Sequence, residues 1–493
     1  MYSNRLICKG LILTLLISFI APILSNQNLQ AKNNKKKPNL IFIMTDEQSY
    51  LTIGSYRDFL PEELACRWGE NIAPNTPNLD KIAEEGAIYT SYYASAPVCS
   101  PSRASIFTGC YPDKVGVPLN GCGLRHDATT IGQALKDQDY ATSYIGKWHL
   151  ADNEPIPGWQ FTPSLGFDDN TYMFNTGHQK YYVVGRDPKH ITLTNNPKPV
   201  PGKLVVPCTK FLTDKALDVI KENKDQPFCL VLSIPDPHSP DIAVPPYDKM
   251  YADLDYHAPS TYHQKVEDRP KWARSELSNE VGVEFDKSHI INYFGMVTDI
   301  DDNIGRIMEA LKKHKIDDNT IVVFTADHGE LNFEHHRINK GLPFETSAHV
   351  PLIIRYPNKI RKGKVISTPH VNVDLMPTLL QLMDVPQIQG MDGQAFASSL
   401  TSKAKYVDTK RIVYGTSTFN WVMATDGRYK LVLSTVDTPW LYDLKTDPLE
   451  IKNCFRDSAY KSVSDTIMKS LIAQMNKYKE PRYLDKVNPL IYK

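Results

Sequence analysis

The chain carries an apolar run near its start, Leu40-Ile41-Phe42-Ile43-Met44, that is followed at once by Thr45-Asp46-Glu47. A short run of this kind is typical of a strand that is buried on both faces, as in a parallel sheet. Ligands of open α/β sheets bind beyond the carboxyl ends of the strands. We therefore predict that Asp46 and Glu47 lie at the edge of the sheet where a functional site forms.

Three later runs have the same form, and each lies beside a stretch of helical periodicity. The runs are residues 228–234, 320–325 and 350–354, and the helical stretches are residues 78–85, 130–136, 213–224 and 300–314. Strands that alternate with helices predict an α/β sandwich with a mainly parallel central sheet. Asp327 and His328 closely follow one of these runs, so we expect them to meet Asp46 and Glu47 at one site.

The pattern of predicted elements changes beyond residue 400. Residues 411–415, 421–425, 429–433 and 440–444 have the pattern of short strands joined by turns, and residues 462–478 have the pattern of a helix. These features predict a small antiparallel sheet with one packed helix. We accordingly divide the chain into a large α/β domain over residues 38–404 and a smaller α+β subdomain over residues 405–493.

The first residues have the pattern of an export signal. Arg5 and Lys9 precede an apolar stretch over residues 11–24, which is short for a membrane span and ends in polar residues. We predict a signal peptide over residues 1–25 and a polar linker over residues 26–37. The protein is then periplasmic or secreted, with no stable membrane span in its mature form; an uncleaved N-terminal anchor is the alternative.

The balance of charged residues argues against a nucleic-acid partner. Lys plus Arg and Asp plus Glu are 56 each, so the basic excess that is typical of a nucleic-acid-binding protein is missing.

Of the eight cysteines, Cys8 lies in the predicted signal, which leaves seven in the mature chain. An odd number in an exported protein leaves at least one cysteine unpaired or chemically altered. The pairing of the others stays open.

The most informative motif is Cys99-Ser100-Pro101-Ser102-Arg103, which opens a helical stretch that Gly109 ends. A thiol at a helix N-terminus beside an arginine has a lowered pKa. Taken alone, such a cysteine is more often structural or one half of a disulfide. The pentapeptide, however, resembles the sulfatase signature Cys-x-Pro-x-Arg, whose cysteine is oxidised to formylglycine.

The resemblance extends over almost the whole mature chain. Its further segments are Thr45-Asp46-Glu47-Gln48, Gly146-Lys147-Trp148-His149-Leu150, Asp236-Pro237-His238, Ala326-Asp327-His328-Gly329-Glu330, Asn339-Lys340-Gly341 and Asp447-Pro448-Leu449-Glu450. On these motifs the chain is identified as a member of the formylglycine-dependent type I sulfatase family. The resemblance implies an alkaline-phosphatase-like sandwich for the α/β domain, which would then be the catalytic domain.

The resemblance also implies two sets of site residues. The implied metal ligands are Asp46, Glu47, Cys99, Asp327 and His328, and the implied catalytic residues are Cys99, Arg103, Lys147, His149, His238 and Lys340. Carboxylates favour Ca²⁺ over Mg²⁺ here, although many family members carry Asn where His328 stands, and Asp where Glu47 stands.

Each implied catalytic residue has an expected role. Lys147 and Lys340 face the sulfate oxygens, and Arg103 steadies the nucleophile and the metal ligands. His238 protonates the leaving alcohol. His149 orients or deprotonates the formylglycine hydrate, whose two hydroxyls would attack sulfur and then expel sulfate.

The implied function is removal of O-sulfate from a sulfated carbohydrate, such as a glycosaminoglycan or another sulfated glycan, most simply in an exo mode. Tyrosine-rich loops at residues 172–182 and 251–263 are candidate sugar contacts. A formylglycine-generating maturation enzyme would be a necessary partner. The alternatives are a metal-dependent phosphodiesterase or phosphonate hydrolase, and a carbohydrate-binding relative that has lost turnover. The Cys99 motif and the two lysines favour sulfate.

Overall fold

The computed structural model describes residues 36–152, 165–185, 191–274, 282–417 and 420–480. Residues Pro38–Lys493 form one compact unit. The predicted signal peptide and most of the predicted linker lie outside the described residues. Within the described ranges, no helix combines the length and the apolar character that crossing a bilayer requires.

A nine-stranded sheet forms the centre of this unit. From one edge to the other its strands are Tyr406–Val407, Lys364–Ile366, Ala87–Tyr89, Leu352–Arg355, Thr320–Ala326, Asn39–Asp46, Phe228–Pro237, Ala141–Lys147 and Asp169–Phe174. Leu352–Arg355 runs antiparallel to both of its neighbours, and every other pair is parallel. The predicted α/β sandwich with a mainly parallel sheet is confirmed.

The first apolar run is the middle of the central strand, Asn39–Asp46, which is buried along its whole length. Its alternate side chains enter two different apolar cores. Leu40, Phe42 and Met44 belong to the core on one face of the sheet, whereas Ile41 and Ile43 belong to the core on the other. Because successive side chains of a strand point to opposite faces, a strand between two helical layers must be apolar at every position.

Helices cover both faces of the sheet. The α-helices are Gly54–Arg57, Glu62–Ala65, Pro77–Glu85, Cys99–Thr108, Ile131–Lys136, Cys208–Asn223, Lys271–Arg274, Lys287–Lys313, Glu345–Ala348, Leu375–Leu382, Ala397–Thr401 and Lys461–Lys477. Short 3₁₀ turns lie at Tyr50–Thr52, Pro112–Val115, Tyr247–Lys249, Ser260–His263, Val266–Asp268, Asp317–Asn319, Glu334–His336, Asn372–Asp374 and Ser458–Tyr460. Cys99–Thr108 and Leu375–Leu382 contribute to one core, and Cys208–Asn223 and Lys287–Lys313 to the other.

Three smaller sheets complete the fold. The C-terminal one is antiparallel and has the strands Val413–Thr416, Trp421–Thr425, Tyr429–Ser434 and Trp440–Asp443, as predicted. Helix Lys461–Lys477 packs on it through Ile467 and Leu471. The others join His370–Val371 to Tyr92–Tyr93, and Tyr181–Val184 to Ile191–Thr194 and Leu204–Pro207. The division into residues 38–404 and 405–493 stays a prediction.

Candidate active site

Three adjacent strands end at the same edge of the central sheet and deliver the first site residues. Asp46 is the last residue of the central strand, and Asp327 and His328 follow its neighbour Thr320–Ala326 directly. The two acidic segments are in contact, because the Glu47 N–H donates a hydrogen bond to Asp327 Oδ1 at 3.1 Å. His238 follows the strand on the other side. The expectation that these segments meet is therefore confirmed.

Cys99 is the first residue of helix Cys99–Thr108, whose residues are all buried and which ends at Gly109 with a left-handed φ of 67°. The Cys99 Sγ lies 3.2 Å from His328 Nε2 and 3.8 Å from Asp46 Oδ1. Burial alone would raise the pKa of this thiol, but Lys147 and Lys340 together hold it well below its usual value. Two nearby lysine ammonium groups therefore distinguish Cys99 from an ordinary core cysteine.

Arg103 lies one helical turn after Cys99 and joins the two acidic segments. Its guanidinium is fully buried and donates from Nε to Asp327 Oδ2 at 2.8 Å and from Nη2 to Asp46 Oδ2 at 3.2 Å. Nη1 donates to Ser233 Oγ at 2.9 Å and to the Lys147 carbonyl at 2.7 Å. The planar fork of the guanidinium thus holds three strand ends together in one geometry.

One side of Cys99 has the donor set of a cation site. Asp46, Cys99, Asp327 and His328 each place one ligand atom within 4.8 Å of the others. The Gly329 carbonyl accepts a hydrogen bond from His328 Nδ1 at 3.0 Å, so the lone pair of His328 is on Nε2, which faces the carboxylates. Buried carboxylates with one imidazole suit a divalent cation.

Glu47 points away from this group of four. Its Oε2 lies 3.0 Å from Lys340 Nζ and 3.1 Å from His238 Nε2. Its Oε1 is buried without a hydrogen-bond donor among the described residues, so it has a coordination position to fill. Burial raises the pKa of Glu47, an effect that Lys340 opposes. Its assignment as a metal ligand stays a prediction.

The other side of Cys99 has the character of an anion site. Lys147 Nζ donates to Asp46 and, at 2.6 Å, to His178 Nε2, and Lys340 Nζ donates to His238 Nε2 at 2.7 Å. The two imidazoles are stacked, with ring centroids 3.7 Å apart. Burial lowers the pKa of both, and the neighbouring lysines lower it further.

This second side could in principle hold a cation of its own. Asp46, His178 and His238 also place one ligand atom each within 4.8 Å of the others. However, each imidazole nitrogen that faces the site already accepts a hydrogen bond from a lysine ammonium group. Two ammonium groups would repel a second cation and would attract an anion instead. The charge pattern therefore separates a cation side from an anion side.

His149 completes the surroundings of the thiol. Its backbone has a left-handed φ of 59°, and its N–H donates to the Asn175 carbonyl at 2.9 Å. Burial and Lys147 lower its pKa, whereas its hydrogen bond with Cys99 raises it. Its Nδ1 is buried without a partner among the described residues. All of the predicted site residues are thus grouped around Cys99.

His178 was not among the predicted site residues. It lies in the tyrosine-rich segment 172–182, which was predicted only as a whole to contact sugar. The only signal was its place just beyond Asp169–Phe174, a strand that pairs with Ala141–Lys147 and ends at the same edge of the sheet.

Comparison with known proteins identifies the family of the chain. The model of the sulfatase family matches residues 38–385, which is most of the chain. The protein belongs to the sulfatase family. It is accordingly an enzyme of the type I sulfatase class, with the alkaline-phosphatase-like fold. A second model, described as the C-terminal part of N-sulphoglucosamine sulphohydrolase, matches residues 333–477.

Several sulfatases are similar to the chain over nearly its full length. An uncharacterized sulfatase, YidJ of Escherichia coli, is 29% identical, over 90% of this chain and 88% of the relative. An N-acetylglucosamine-6-O-sulfatase of Bacteroides thetaiotaomicron is 25% identical, over 95% and 91%. An ulvan-active sulfatase of Formosa agariphila is 25% identical, over 97% and 90%.

Solved structures show the same fold. One, in complex with its substrate D-glucosamine-2-N,6-O-disulfate, has a TM-score of 0.72 and 24% identity, over 90% of this chain and 99% of that one. The putative sulfatase YidJ of Bacteroides fragilis has a TM-score of 0.72 and 27% identity, over 93% and 99%. A phosphonate monoester hydrolase of Agrobacterium radiobacter has a TM-score of 0.68 and 22% identity, over 90% and 96%.

Proposed function

We propose that this sulfatase removes O-sulfate groups from a sulfated saccharide, in an exo mode, after conversion of Cys99 to formylglycine. The observation that carries the proposal is the position of Cys99 at the start of a buried helix, between a cation side and an anion side. Hydrolysis of a sulfate ester needs a nucleophile at sulfur and positive groups around the sulfate oxygens. The curated relatives that are named for sulfated sugars support the substrate class.

The side chains around the sulfate have different proposed roles. The hydrate of formylglycine would supply the nucleophilic hydroxyl. Asp46, Asp327 and His328 would hold a divalent cation, for which Ca²⁺ suits the ligands best, and the bound cation would polarise the sulfate. Lys147 and Lys340, which lie on the anion side, neutralise the sulfate oxygens. Arg103 pairs with Asp46 and Asp327 and orients both carboxylates as ligands. Glu47, whose Oε2 contacts Lys340 and His238, would complete the coordination by turning Oε1 toward the four clustered ligands.

The two histidines nearest the reaction have distinct proton roles. The Ser239 carbonyl lies 2.9 Å from His238 Nδ1 and can only accept, so Nδ1 carries a proton and Nε2 faces the anion side. We assign protonation of the leaving alcohol to His238 Nε2, which accepts a hydrogen bond from the Lys340 ammonium group and would pass a proton from that group to the alcohol. We assign orientation or deprotonation of the nucleophile to His149, since its ring hydrogen-bonds Cys99.

The decisive experiment combines a mass measurement with a substrate panel. In protein produced with a maturation enzyme, the tryptic peptide from Ile82 to Arg103 should carry an aldehyde in place of the Cys99 thiol. The same protein should release sulfate from defined sulfated mono- and disaccharides, and from chain ends of longer saccharides. Cleavage of phosphodiesters or phosphonate esters without any release of sulfate would contradict the proposal. Binding of sulfated sugars without turnover by the converted protein would also contradict it.

We also propose that the protein is exported. Residues 1–25 would be removed as a signal peptide, and the mature chain would act in the periplasm or outside the cell. One relative, from Drosophila melanogaster, is named an extracellular sulfatase. N-terminal sequencing of the protein from fractionated cells tests the cleavage, and an intact N-terminus in a membrane fraction would contradict it.

Removal of the divalent cation is expected to lower both turnover and stability. A chelator should abolish sulfate release, and added Ca²⁺ should restore it more fully than Mg²⁺. Because the cation binds only the folded ligand set, it should raise the unfolding free energy by about 2.7 kcal/mol at roughly 100 times its dissociation constant. Calorimetric titration of the chelated protein checks this. Asp327→Asn is the control, because it should bind the ion weakly and gain little stability.

His178→Ala is expected to lower kcat/KM by at least about tenfold, because a hydrogen bond to a charged group contributes about 1.5–3 kcal/mol. His178 accepts from Lys147 at 2.6 Å and stacks on His238, so it orients two sulfate-facing groups. Steady-state kinetics on the best saccharide of the panel measure the effect. His126→Ala, which alters an exposed imidazole outside both candidate sugar-contact loops, is the control. Equal kinetics of both variants would contradict a role for His178.

A further inference from the structure

The segment that carries Lys340 is tied on both sides by hydrogen bonds of Gly341. The Gly341 N–H donates to the carbonyl of Pro97, two residues before Cys99, at 3.0 Å. The Gly341 carbonyl accepts from the indole Nε1 of Trp421 at 3.0 Å. Trp421 is fully buried and opens the second strand of the C-terminal sheet. The residue next to Lys340 is thus linked to the nucleophile segment and to the C-terminal sheet at once.

A second contact from the same sheet holds the far end of this segment. Lys430, which is fully buried, donates to the Pro343 carbonyl at 2.6 Å. Its ammonium also forms ion pairs with Glu345 at 2.8 Å and with Glu450 at 2.6 Å. Glu450 in turn accepts from the Glu345 N–H at 2.6 Å. The charge of Lys430 is fully paired, so the cluster is rigid rather than costly.

The segment needs such outside support because it has no regular structure of its own. Asn339 and Gly341 flank Lys340 with left-handed φ angles of 68° and 88°. No helix or strand is described between 336 and 345. A flexible lysine on an irregular loop can hold its ammonium near both Glu47 and His238 only if the backbone is fixed from outside.

We propose that Trp421 is a positioning residue, which fixes the backbone beside Lys340 and so places the Lys340 ammonium group at the anion side of the site. Lys430 is the second anchor of the same segment. The C-terminal sheet then contributes to the active site, although none of its described residues is among the predicted site residues. This inference rests on the proposed function, because it takes Lys340 to be a sulfate-facing group.

Trp421→Phe tests the proposal with a small change, since it removes the indole N–H and keeps a large aromatic ring. Trp440→Phe is the matched control: it lies in the same sheet, and its indole N–H donates instead to Asp437 at 3.0 Å. We expect kcat/KM for a sulfated saccharide to fall about tenfold in Trp421→Phe and to stay at the wild-type value in Trp440→Phe. Each value is taken per folded protein, as determined by circular dichroism.

A double-mutant cycle with Lys340→Ala separates positioning from a general loss of structure. If Trp421 acts through Lys340, Trp421→Phe should cause no further loss of kcat/KM in the Lys340→Ala background. Glu450→Gln, which weakens the second anchor, should behave in the same way and replaces Trp421→Phe if that variant does not fold. An active wild type whose Trp421→Phe variant keeps full kcat/KM, or additive losses in the cycle, would overturn the inference. A wild type that releases no sulfate would instead overturn the proposed function.

Discussion

Replacing Cys99 with alanine is expected to lower kcat by at least about 10⁴-fold, because the group that attacks sulfur is then lost altogether. Lys147, Lys340 and the histidines would still bind a sulfate ester, so affinity for inorganic sulfate should remain. The fold should remain as well, since the Cys99 side chain is small and the helix is held by many other contacts. Sulfate release at saturating substrate measures the loss of kcat. Calorimetric titration with inorganic sulfate measures the remaining affinity.

Cys110→Ala is the matched control for this prediction. Cys110 lies just beyond the end of the same helix and is also buried, but its thiol packs in the apolar core and burial raises its pKa. Its loss should leave turnover unchanged. Wild-type protein made without a maturation enzyme should behave like Cys99→Ala. Full activity of that unconverted protein would show that the thiol itself suffices and would contradict the formylglycine proposal.

The structure answers the question that the cysteine count raised. Cys66, Cys99, Cys110, Cys122, Cys208, Cys229 and Cys454 are all free thiols. Several of them are core residues, such as Cys229, whose pKa burial raises to about 12. None of the described cysteines forms a disulfide, so the odd number does not single out one of them as unpaired. Cys99 stands out through its electrostatic surroundings, not through being the one left over.

The central strands could be predicted because each contains a nearly unbroken apolar run. Residues 228–234 and 320–325 lie within the observed strands Phe228–Pro237 and Thr320–Ala326. Once these strands are parallel neighbours of Asn39–Asp46, their carboxyl ends must meet. The proximity of Asp46 and Asp327 follows from this topology and needs no knowledge of the side chains between them.

Elements with buried polar residues were missed, because burial there depends on hydrogen bonds that a sequence pattern does not reveal. The strand Ala141–Lys147 includes Thr142, whose hydroxyl donates to the Gly166 carbonyl at 2.8 Å. Helix Lys287–Lys313 begins thirteen residues before the predicted 300–314 stretch. Its first half includes His289, which lies 2.9 Å from both Asp241 and Asn332 and is therefore buried despite being polar.

The loops of the site were the least predictable part. His178 faces Lys147 only because the segment beyond Asp169–Phe174 folds back over the sheet edge. The direction of the Glu47 side chain, toward Lys340 instead of the four clustered ligands, depends on a left-handed backbone φ of 66° at Glu47. Such features arise from tertiary contacts, not from local sequence preference.

The largest effect on stability is expected for Arg103→Gln, which should lower the unfolding free energy of the metal-free protein by about 3–5 kcal/mol. The change leaves Asp46 and Asp327 buried without the guanidinium that pairs with both. Arg103→Lys should recover part of the loss, because an ammonium keeps the charge but cannot span both carboxylates. Sulfate release should fall in both variants, since the metal ligands lose their orientation.

Arg428→Gln provides the matched control, because Arg428 also makes two bonds to one carboxylate, that of Asp443, each at 2.9 Å. Its side chain is 46% exposed, however, whereas that of Arg103 is fully buried. Water can solvate the ions that this change separates, so the loss should be about 1 kcal/mol or less. Denaturant unfolding of both variants in chelator checks the contrast. Equal losses would mean that Arg103 is a replaceable ion-pair partner and not the group on which the two acidic strand ends depend.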